Sequence, residues 1–237
     1  MTHREAQALL DKIVAQVFGY KNPFTLEAFM QKFAFDIRLP QEVTDAVDGK
    51  PTWALSTSPV KFVRMENAGT LEVGGASANT DGLRPKRPLH DLDDVINAWS
   101  EVNFTTAQRV KDSINVSESD VIMNSENVFR SQDIRKSKNI LFSDGMQNCE
   151  FVAASQRNGG LSFGIRVEDS GDCTNCFAVS WSGKLTNCMF VHDSIDTQDS
   201  MFCTGVRGKR FCIANMQYTE AEYRKIRDMV VRWVLTN

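Results

Sequence analysis

The first third of the chain carries apolar residues at helical spacing. Ala6, Leu9, Leu10, Ile13, Val14 and Val17 lie one helical turn apart in succession and predict a helix over residues 4–18 with one buried face. Thr25 is a suitable cap for a second, short helix, LEAFMQKF. A third helix is predicted from Asp91, where Leu92, Val95, Ile96 and Trp99 share one face. We expect that face to be packed.

Between these helices the pattern favours strands and a loop. Weak alternation around Asp48-Gly49 predicts a hairpin and short strands, EVTDAV, PTWALS, KFVRM and TLEV. The stretch GGASANTDGLRPKRP, with its many Gly, Pro, Asn and Ser residues, predicts a long loop or arm over residues 74–90. Residues 1–111 are therefore interpreted as one mixed, largely helical N-terminal module.

From residue 112 small and aliphatic residues recur every third position, a spacing that fits neither a helix nor a flat strand. The pattern repeats after twelve residues, and Asn residues recur with it at 115, 127 and 139. A tight coil with short straight sides explains a period of three, because every third side chain then points into a narrow bore. Buried serines should bond backbone carbonyls, and the repeated Asn should form ladders at the corners. The predicted bore residues are Ser113, Val116, Ile122, Ser125, Val128, Ile134, Ser137, Ile140, Cys149, Val152, Cys176, Val179, Leu185, Cys188 and Val191.

The two halves of this array differ in phase. Asn148-Cys149 and Asn175-Cys176 are separated by two repeats plus three residues. We expect an insertion of about three residues, absorbed as a bulge by QRNGGLSFG, residues 156–164.

Both ends of such a rod need a cover against aggregation. Thr219 and Glu222 form a capping-box pattern before a helix predicted over residues 219–235, with Tyr223, Ile226, Val230 and Trp233 on one face. We expect this helix to lie over the last coil and the N-terminal module to cover the first. The predicted fold class is therefore α+β: an N-terminal helical and mixed module (1–111), then a narrow parallel β-solenoid of about twelve-residue repeats capped by a C-terminal helix (112–237).

Composition and charge narrow the functional classes. The 237 residues are 42% hydrophobic and 24% charged with a net charge of −3, which is typical of a globular protein and gives no overall basic field for nucleic acid. No apolar run approaches the roughly 20 residues that span a bilayer, and the charged N-terminus is unlike a signal peptide. We expect neither nucleic-acid nor membrane partners, and six reduced cysteines.

The ending GVRGKRFCIANMQYTEAEY, with the units NSENVFRSQDIRKSKN, NCEFVAAS and NCMFVHDS, resembles a family of uncharacterised cysteine-rich repeat proteins. This family occurs in candidate-phylum bacteria and in large tailed phages of the T4-like kind. The resemblance covers residues 112–223, and the N-terminal half resembles the leading region of the phage members. Typical members have more cysteines, many of which are Ser here. The resemblance implies no established activity and favours a virion component.

The cysteines offer two alternatives to a purely structural role. Cys173 and Cys176 form the one CxxC pair and, with Cys188 and Cys203, are weak candidates for a zinc site. Cys176 and Cys188 are twelve residues apart and would stack within reach of a disulfide. A nucleophilic pair of His192 with Cys188 or Cys203 is disfavoured, because Cys188 is predicted to point inward.

Other candidate residues lie outside the bore positions. Asp169, Asp172, Asp193, Asp196 and Asp199 could line a carbohydrate-cleaving groove, and Trp181 and Phe190 could stack on sugars if exposed. The basic runs at 84–88 and 207–210 are interpreted as exposed loop charges. No phosphate-binding loop is present.

The leading hypothesis is a non-enzymatic structural or adaptor protein without cofactor, a virion component that contacts other structural subunits. Its loop or arm would dock to neighbours, and a homo-oligomer is possible. If it is not part of a virion, a cytoplasmic location is expected. The alternatives are a carbohydrate-binding or carbohydrate-cleaving solenoid and a zinc-stabilised interaction module.

Overall fold

The computed structural model describes residues 1–55, 61–70 and 84–236. These described residues contain four α-helices: α1 (His3–Phe18), α2 (Leu26–Phe33), α3 (Leu92–Val102) and α4 (Glu220–Thr236). A 3-10 helix covers Met65–Thr70. No helix in the described ranges is long and apolar enough to cross a membrane. The strands are β1 (Gln41–Thr44), β2 (Pro51–Ala54), β3 (Lys61–Arg64), β4 (Phe104–Ala107), β5 (Val110–Lys111), β6 (Ile114–Ser117), β7 (Asp120–Met123), β8 (Glu126–Phe129), β9 (Gln132–Arg135), β10 (Lys138–Leu141), β11 (Asp144–Gln147), β12 (Glu150–Ala153), β13 (Gln156–Gly159), β14 (Ser162–Glu168), β15 (Thr174–Ser180), β16 (Met189–His192), β17 (Met201–Thr204), β18 (Cys212–Ile213) and β19 (Met216–Gln217).

The predicted β-solenoid is confirmed. Strands β5 to β18 stack in parallel with partners twelve residues apart, as in Ile122 opposite Ile134 and Val179 opposite Val191. About nine coils form a rod roughly 40 Å long at the usual strand spacing. From Asp112 to Ala214 every third residue has a positive φ. Each such residue turns a corner, so every coil has four short sides.

The side chains that follow the corner residues fill the bore in four columns. Column 1 consists of Ser113, Ser125, Ser137, Cys149, Leu161, Cys173, Leu185 and Thr197. Column 2 consists of Val116, Val128, Ile140, Val152, Gly164, Cys176, Cys188, Ser200 and Cys212. Column 3 consists of Ser119, Ser131, Ser143, Ser155, Val167, Val179, Val191 and Cys203. Column 4 consists of Ile122, Ile134, Met146, Asn158, Ser170, Ser182, Ser194 and Val206. All the predicted bore residues fall in these columns and are buried, except that Ser113 and Val116 at the first coil are half-buried.

The buried serines are satisfied as expected. Each donates its hydroxyl to the carbonyl two residues earlier and accepts the amide N–H twelve residues later, in the coil stacked on it. Ser131, for example, donates to Phe129 O at 2.9 Å and accepts from Ser143 N at 3.1 Å. Corner Asn side chains form the predicted ladders, with Asn127 donating to Asn139 Oδ1 at 2.9 Å. Polar residues therefore fit the bore without unsatisfied groups at these positions.

The expected three-residue bulge is wrong. The register stays at twelve through the glycines, with Glu150 opposite Ser162 and Gly159 opposite Gly171. What changes is which columns hold the large side chains. In the first coils, columns 2 and 4 are aliphatic and columns 1 and 3 are Ser. In the later coils, columns 1 and 3 carry the large residues. The two columns that hold the large side chains thus change from 2 and 4 to 1 and 3, which are one side of the coil away. This change shifts the sequence motif by three residues although no residue is inserted.

The transition coil shows how this exchange is packed. Leu161 fills column 1, and a Cβ on Gly164 would lie 2.8 Å from its Cδ2 atom, so a larger residue at 164 would require the Leu161 side chain to shift. Asn158 is buried in column 4, donates to Val167 O at 2.7 Å and accepts from Ser170 N at 3.0 Å.

Helices α1, α2 and α4 cover one side of the rod. The outward column that they cover, called here the lateral column, consists of Ser117, Phe129, Leu141, Ala153, Ile165, Phe177, Met189, Met201 and Ile213. Helix α1 lies across β10, β12, β14 and β15, and Phe18 packs edge-on against Phe177 at 5.0 Å. Helices α1, α2 and α4 share a single core with this column. The helical and solenoid parts therefore stabilise each other.

The cover of the last coil differs in position from what we expected. Helix α4 is present, with Thr219 and Glu222 forming the capping box, but it runs along the side of the rod: Tyr223 packs on Phe211 and Trp233 reaches Phe190. The hairpin β18–β19 lies at the last coil. At the first coil, Leu55 N of the N-terminal module donates to the buried Asp120 at 3.2 Å, and His3 at the start of α1 lies 3.4 Å from Glu118.

The N-terminal elements otherwise match their predictions. Strands β1 and β2 form the hairpin around Asp48-Gly49. The predicted strand at 70–73 lies outside the described residues from 71 onward, and so does the predicted arm as far as residue 83. Residues 84–90 have no regular secondary structure.

Candidate docking surface

The apolar face of α3 is exposed, which contradicts the expectation that it is packed. Leu92, Val95, Ile96 and Trp99 follow at i, i+3, i+4 and i+7, and each is between 46% and 70% exposed. None of the residues of α3 is buried. The other three helices each bury one face. The amphipathic pattern was interpreted correctly as a helix, but a pattern does not specify what covers its apolar side.

From here on, the arm means residues 84–102, that is, α3 and the segment before it. This segment overlaps the loop or arm predicted over residues 74–90 only at residues 84–90. The N-terminal segment of the arm lies along α3, since Arg84 donates to Glu101 and Arg87 Nη2 donates to the same carboxylate at 2.9 Å. These hydrogen bonds, from Arg87 first and then Arg84, lower the pKa of Glu101 to about 2. Two cations of the run 84–88 thus hold the arm together, where we expected only exposed loop charges.

The arm combines exposed apolar side chains with acidic residues at the start of α3. Leu89, just before α3, is also exposed. Asp91, Asp93 and Asp94 cluster at the start of α3, where Asp91 accepts the N–H of Asp94 at 2.8 Å and the helix dipole favours negative charge. Lys61 Nζ donates to Ser100 O at 2.8 Å and anchors the other end of the helix. A helix with one apolar stripe and acidic flanks is suited to a groove in another protein.

The cysteines are part of the bore. All six are free and buried, and Sγ of Cys188, like a bore serine, donates to the carbonyl two residues earlier, Thr186 O, at 3.4 Å. Burial raises the pKa of Cys188 to about 12. The hydrogen bond between Cys173 and Cys176 lowers the pKa of the former and raises that of the latter.

The four zinc candidates are distributed over three columns: Cys173 in column 1, Cys176 and Cys188 in column 2 and Cys203 in column 3. Within 1–55, 61–70 and 84–236, no group of three or more His, Cys, Asp or Glu residues is placed to hold a metal ion. Cys176 and Cys188 stack in one column as predicted, as free thiols.

His192 does not form a nucleophilic pair with Cys188. Its ring Nδ1 is 2.9 Å from Ser180 Oγ on the outside of the rod, while Cys188 points into the bore.

The five candidate carboxylates do not converge. Asp169 and Asp193 lie at one corner of the coil, Asp172 and Asp196 at a second, and Asp199 at a third. All have positive φ, a conformation that Asp tolerates better than most residues. Arg157 donates to Asp169 at 2.7 Å and lowers its pKa, and Arg210 donates to Asp199 at 3.0 Å. The five carboxylates thus share a corner backbone conformation, and two of them, Asp169 and Asp199, form ion pairs with arginines.

The two candidate aromatic residues lie apart. Trp181 is 62% exposed, donates its indole N–H to Asp169 at 3.1 Å and has its ring 5.0 Å from His192. Phe190 is half-buried, stacked on Phe202 at 4.7 Å and next to Trp233 of α4. Of these two candidates, Trp181 is therefore the one exposed to solvent.

Comparison of the chain with family models and with curated protein sequences found no match.

Proposed function

We propose that the protein is a non-enzymatic structural or adaptor protein that acts through protein–protein contacts, with the apolar face of the arm as its main docking surface. One observation carries this proposal: Leu92, Val95, Ile96 and Trp99 are exposed together on one face of α3. A monomeric protein rarely leaves such a contiguous stripe in water, because burying it in a partner is favourable.

The rest of the molecule supports a structural role. The bore is filled by buried side chains, and α1, α2 and α4 share a core with one side of the rod. Such a body is rigid along its length and displays its surfaces at fixed spacing. The partner that fits the arm is a protein with an apolar groove and basic rims, since α3 carries acidic residues beside its apolar stripe.

We further propose that the partners are structural subunits of a phage virion, on the basis of the sequence resemblance described above. The protein would be cytoplasmic if it is not a virion component. Mass spectrometry of purified phage particles tests this location, and absence of the chain from the particles would rule it out.

The docking surface is tested with two matched substitutions. Ile96→Glu places a charge in the stripe of α3, and Ile195→Glu makes the same change at an exposed isoleucine of the solenoid. We expect incorporation into particles to be lost for Ile96→Glu and kept for Ile195→Glu, with unchanged melting temperatures for both. Equal incorporation of the two variants would contradict the role of the arm.

A second candidate function, carbohydrate binding, is favoured by Trp181 alone. Its exposed indole lies between polar groups, Asp169 and His192, an arrangement that can stack on a sugar and bond its hydroxyls. A glycan array with the intact chain and with Trp181→Ala tests it. Binding that disappears in the variant would support this candidate, and no binding by either chain would remove it.

A further inference from the structure

A shallow cavity of about 450 Å³, widely open to solvent, lies where α2 and the segment that follows it meet the corner of the solenoid at Arg130. Most of its wall is apolar and includes Met30, Ile37 and Leu39. The cavity is separate from the arm, and its volume falls in the usual range for small-molecule sites, about 300–1,000 Å³. Arg130 is the one charged residue among those that line it.

Arg130 has no ionic partner within the described part of the chain. Its Nε is buried and makes no hydrogen bond there. The guanidinium lies over the ring of Trp53, 5.3 Å from its centroid, which restricts its orientation. A buried donor without a partner is unfavourable, so a group that accepts from this guanidinium should bind with a gain in free energy.

A second arginine in the same corner column shows what satisfies this position. Arg166, three coils further along, also faces the segment after α2. Its two Nη atoms donate to the carboxylate of Asp36 at 2.8 and 2.9 Å, and the guanidinium lies over Phe35. Arg130 has the aromatic neighbour but lacks the carboxylate. The contrast between the two arginines indicates that a carboxylate would satisfy Arg130.

We propose that this cavity binds a small carboxylic acid with an apolar body, such as a medium-chain fatty acid. The carboxylate would accept two hydrogen bonds from Arg130, the geometry for which a planar guanidinium is suited. The apolar body would lie against Met30, Ile37 and Leu39 and be removed from water. This inference does not depend on the docking role of the arm.

Calorimetric titration of the intact chain with octanoate, and with octanamide as a neutral probe of the same length, tests the proposal. We expect octanoate to bind one to one and octanamide at least about ten-fold more weakly, since the charge-assisted hydrogen bonds are lost. Absence of saturable octanoate binding, or equal affinity for the two probes, would overturn the proposal.

Variants identify the residue responsible. Arg130→Met should weaken octanoate binding at least about ten-fold. Arg135→Met, at an exposed arginine of the same coil, should leave it within about two-fold. If Arg130→Met fails to fold, Leu39→Glu replaces it, because a carboxylate in the wall would pair with Arg130 and exclude octanoate. Unchanged affinity in the variant that folds would place the binding elsewhere and overturn the assignment.

Discussion

Replacing Ile134 by Asp tests the bore most severely. Ile134 is fully buried in column 4, between Ile122 and Met146 in the coils stacked on either side. Loss of the buried side chain removes about 1.5–3 kcal/mol of burial free energy. The carboxylate that replaces it would be unpaired, which adds several kcal/mol. The sum is comparable with the whole stability of a typical domain, about 5–15 kcal/mol.

The adjacent Arg135→Asp is the matched control. Arg135 is exposed, and its contact is a surface ion pair with Asp133 at 3.0 Å, worth about 0–1 kcal/mol. Thermal melting followed by circular dichroism compares the two variants. At about 2–4 °C per kcal/mol, Ile134→Asp should lower the melting temperature by more than about 10 °C or prevent soluble expression, whereas Arg135→Asp should change it by about 4 °C at most. Equal melting temperatures, or a larger effect at Arg135, would refute the three-residue register.

Three further predictions follow from particular contacts. Gly164→Ala should destabilise the chain by about 1–3 kcal/mol through the clash with Leu161, and Leu161→Ala in the same chain should relieve part of that loss in a double-mutant cycle by denaturant unfolding. Burial raises the pKa of Asp45, but hydrogen bonds from Arg64 and other donors outweigh it and lower the pKa from 3.8 to about 2. The ionised form of Asp45 therefore contributes about 2 kcal/mol to the free energy of unfolding above roughly pH 4, and this contribution is lost as the pH falls toward 2. Acid unfolding of Asp45→Asn should lack the contribution, and an unchanged dependence of stability on pH in the variant would contradict the prediction. Because all six thiols are buried in the bore, a thiol reagent at pH 8 should leave the native chain unmodified and label all six after unfolding. Rapid labelling of the native chain would mean that the bore is open.

Most of the solenoid could be predicted from the sequence because its constraint is local and repeated. Every third residue must be small enough for the bore, and the same requirement returns in each coil, so the columns are visible in the printed residues. Serine is tolerated at a buried bore position because its hydroxyl donates to the backbone carbonyl two residues earlier. The Asn ladders follow from the same repetition, as Asn127 shows.

The expected bulge was wrong for a physical reason. A motif such as Asn-Cys does not mark a fixed position in the coil, because the bore requires only that its volume be filled. Leu161 and Gly164 exchange large and small residues between neighbouring columns, and the sum of volumes is kept while the motif moves by one side. Residue types therefore define the bore, but the phase of a motif does not define the register.

The candidate surfaces depend on tertiary contacts that no periodicity contains. The apolar face of α3 has the same pattern as that of α1, yet α1 is covered by the lateral column and α3 is exposed. Arg130 and Arg166 occupy equivalent corners, and only the position of Asp36 makes one of them paired and the other unpaired. Such differences arise from which elements meet in space, and a single sequence does not encode them in a readable pattern.

Cross-linking mass spectrometry of intact phage particles tests the central claim, that the arm docks this rod to another structural protein. Lys86 lies on the arm and is exposed, while Lys184 and Lys209 are exposed on the solenoid. The proposal predicts that the chain is present in the particles and that Lys86 is cross-linked to another subunit. Absence of the chain, or cross-links to other subunits only through Lys184 and Lys209, would contradict it.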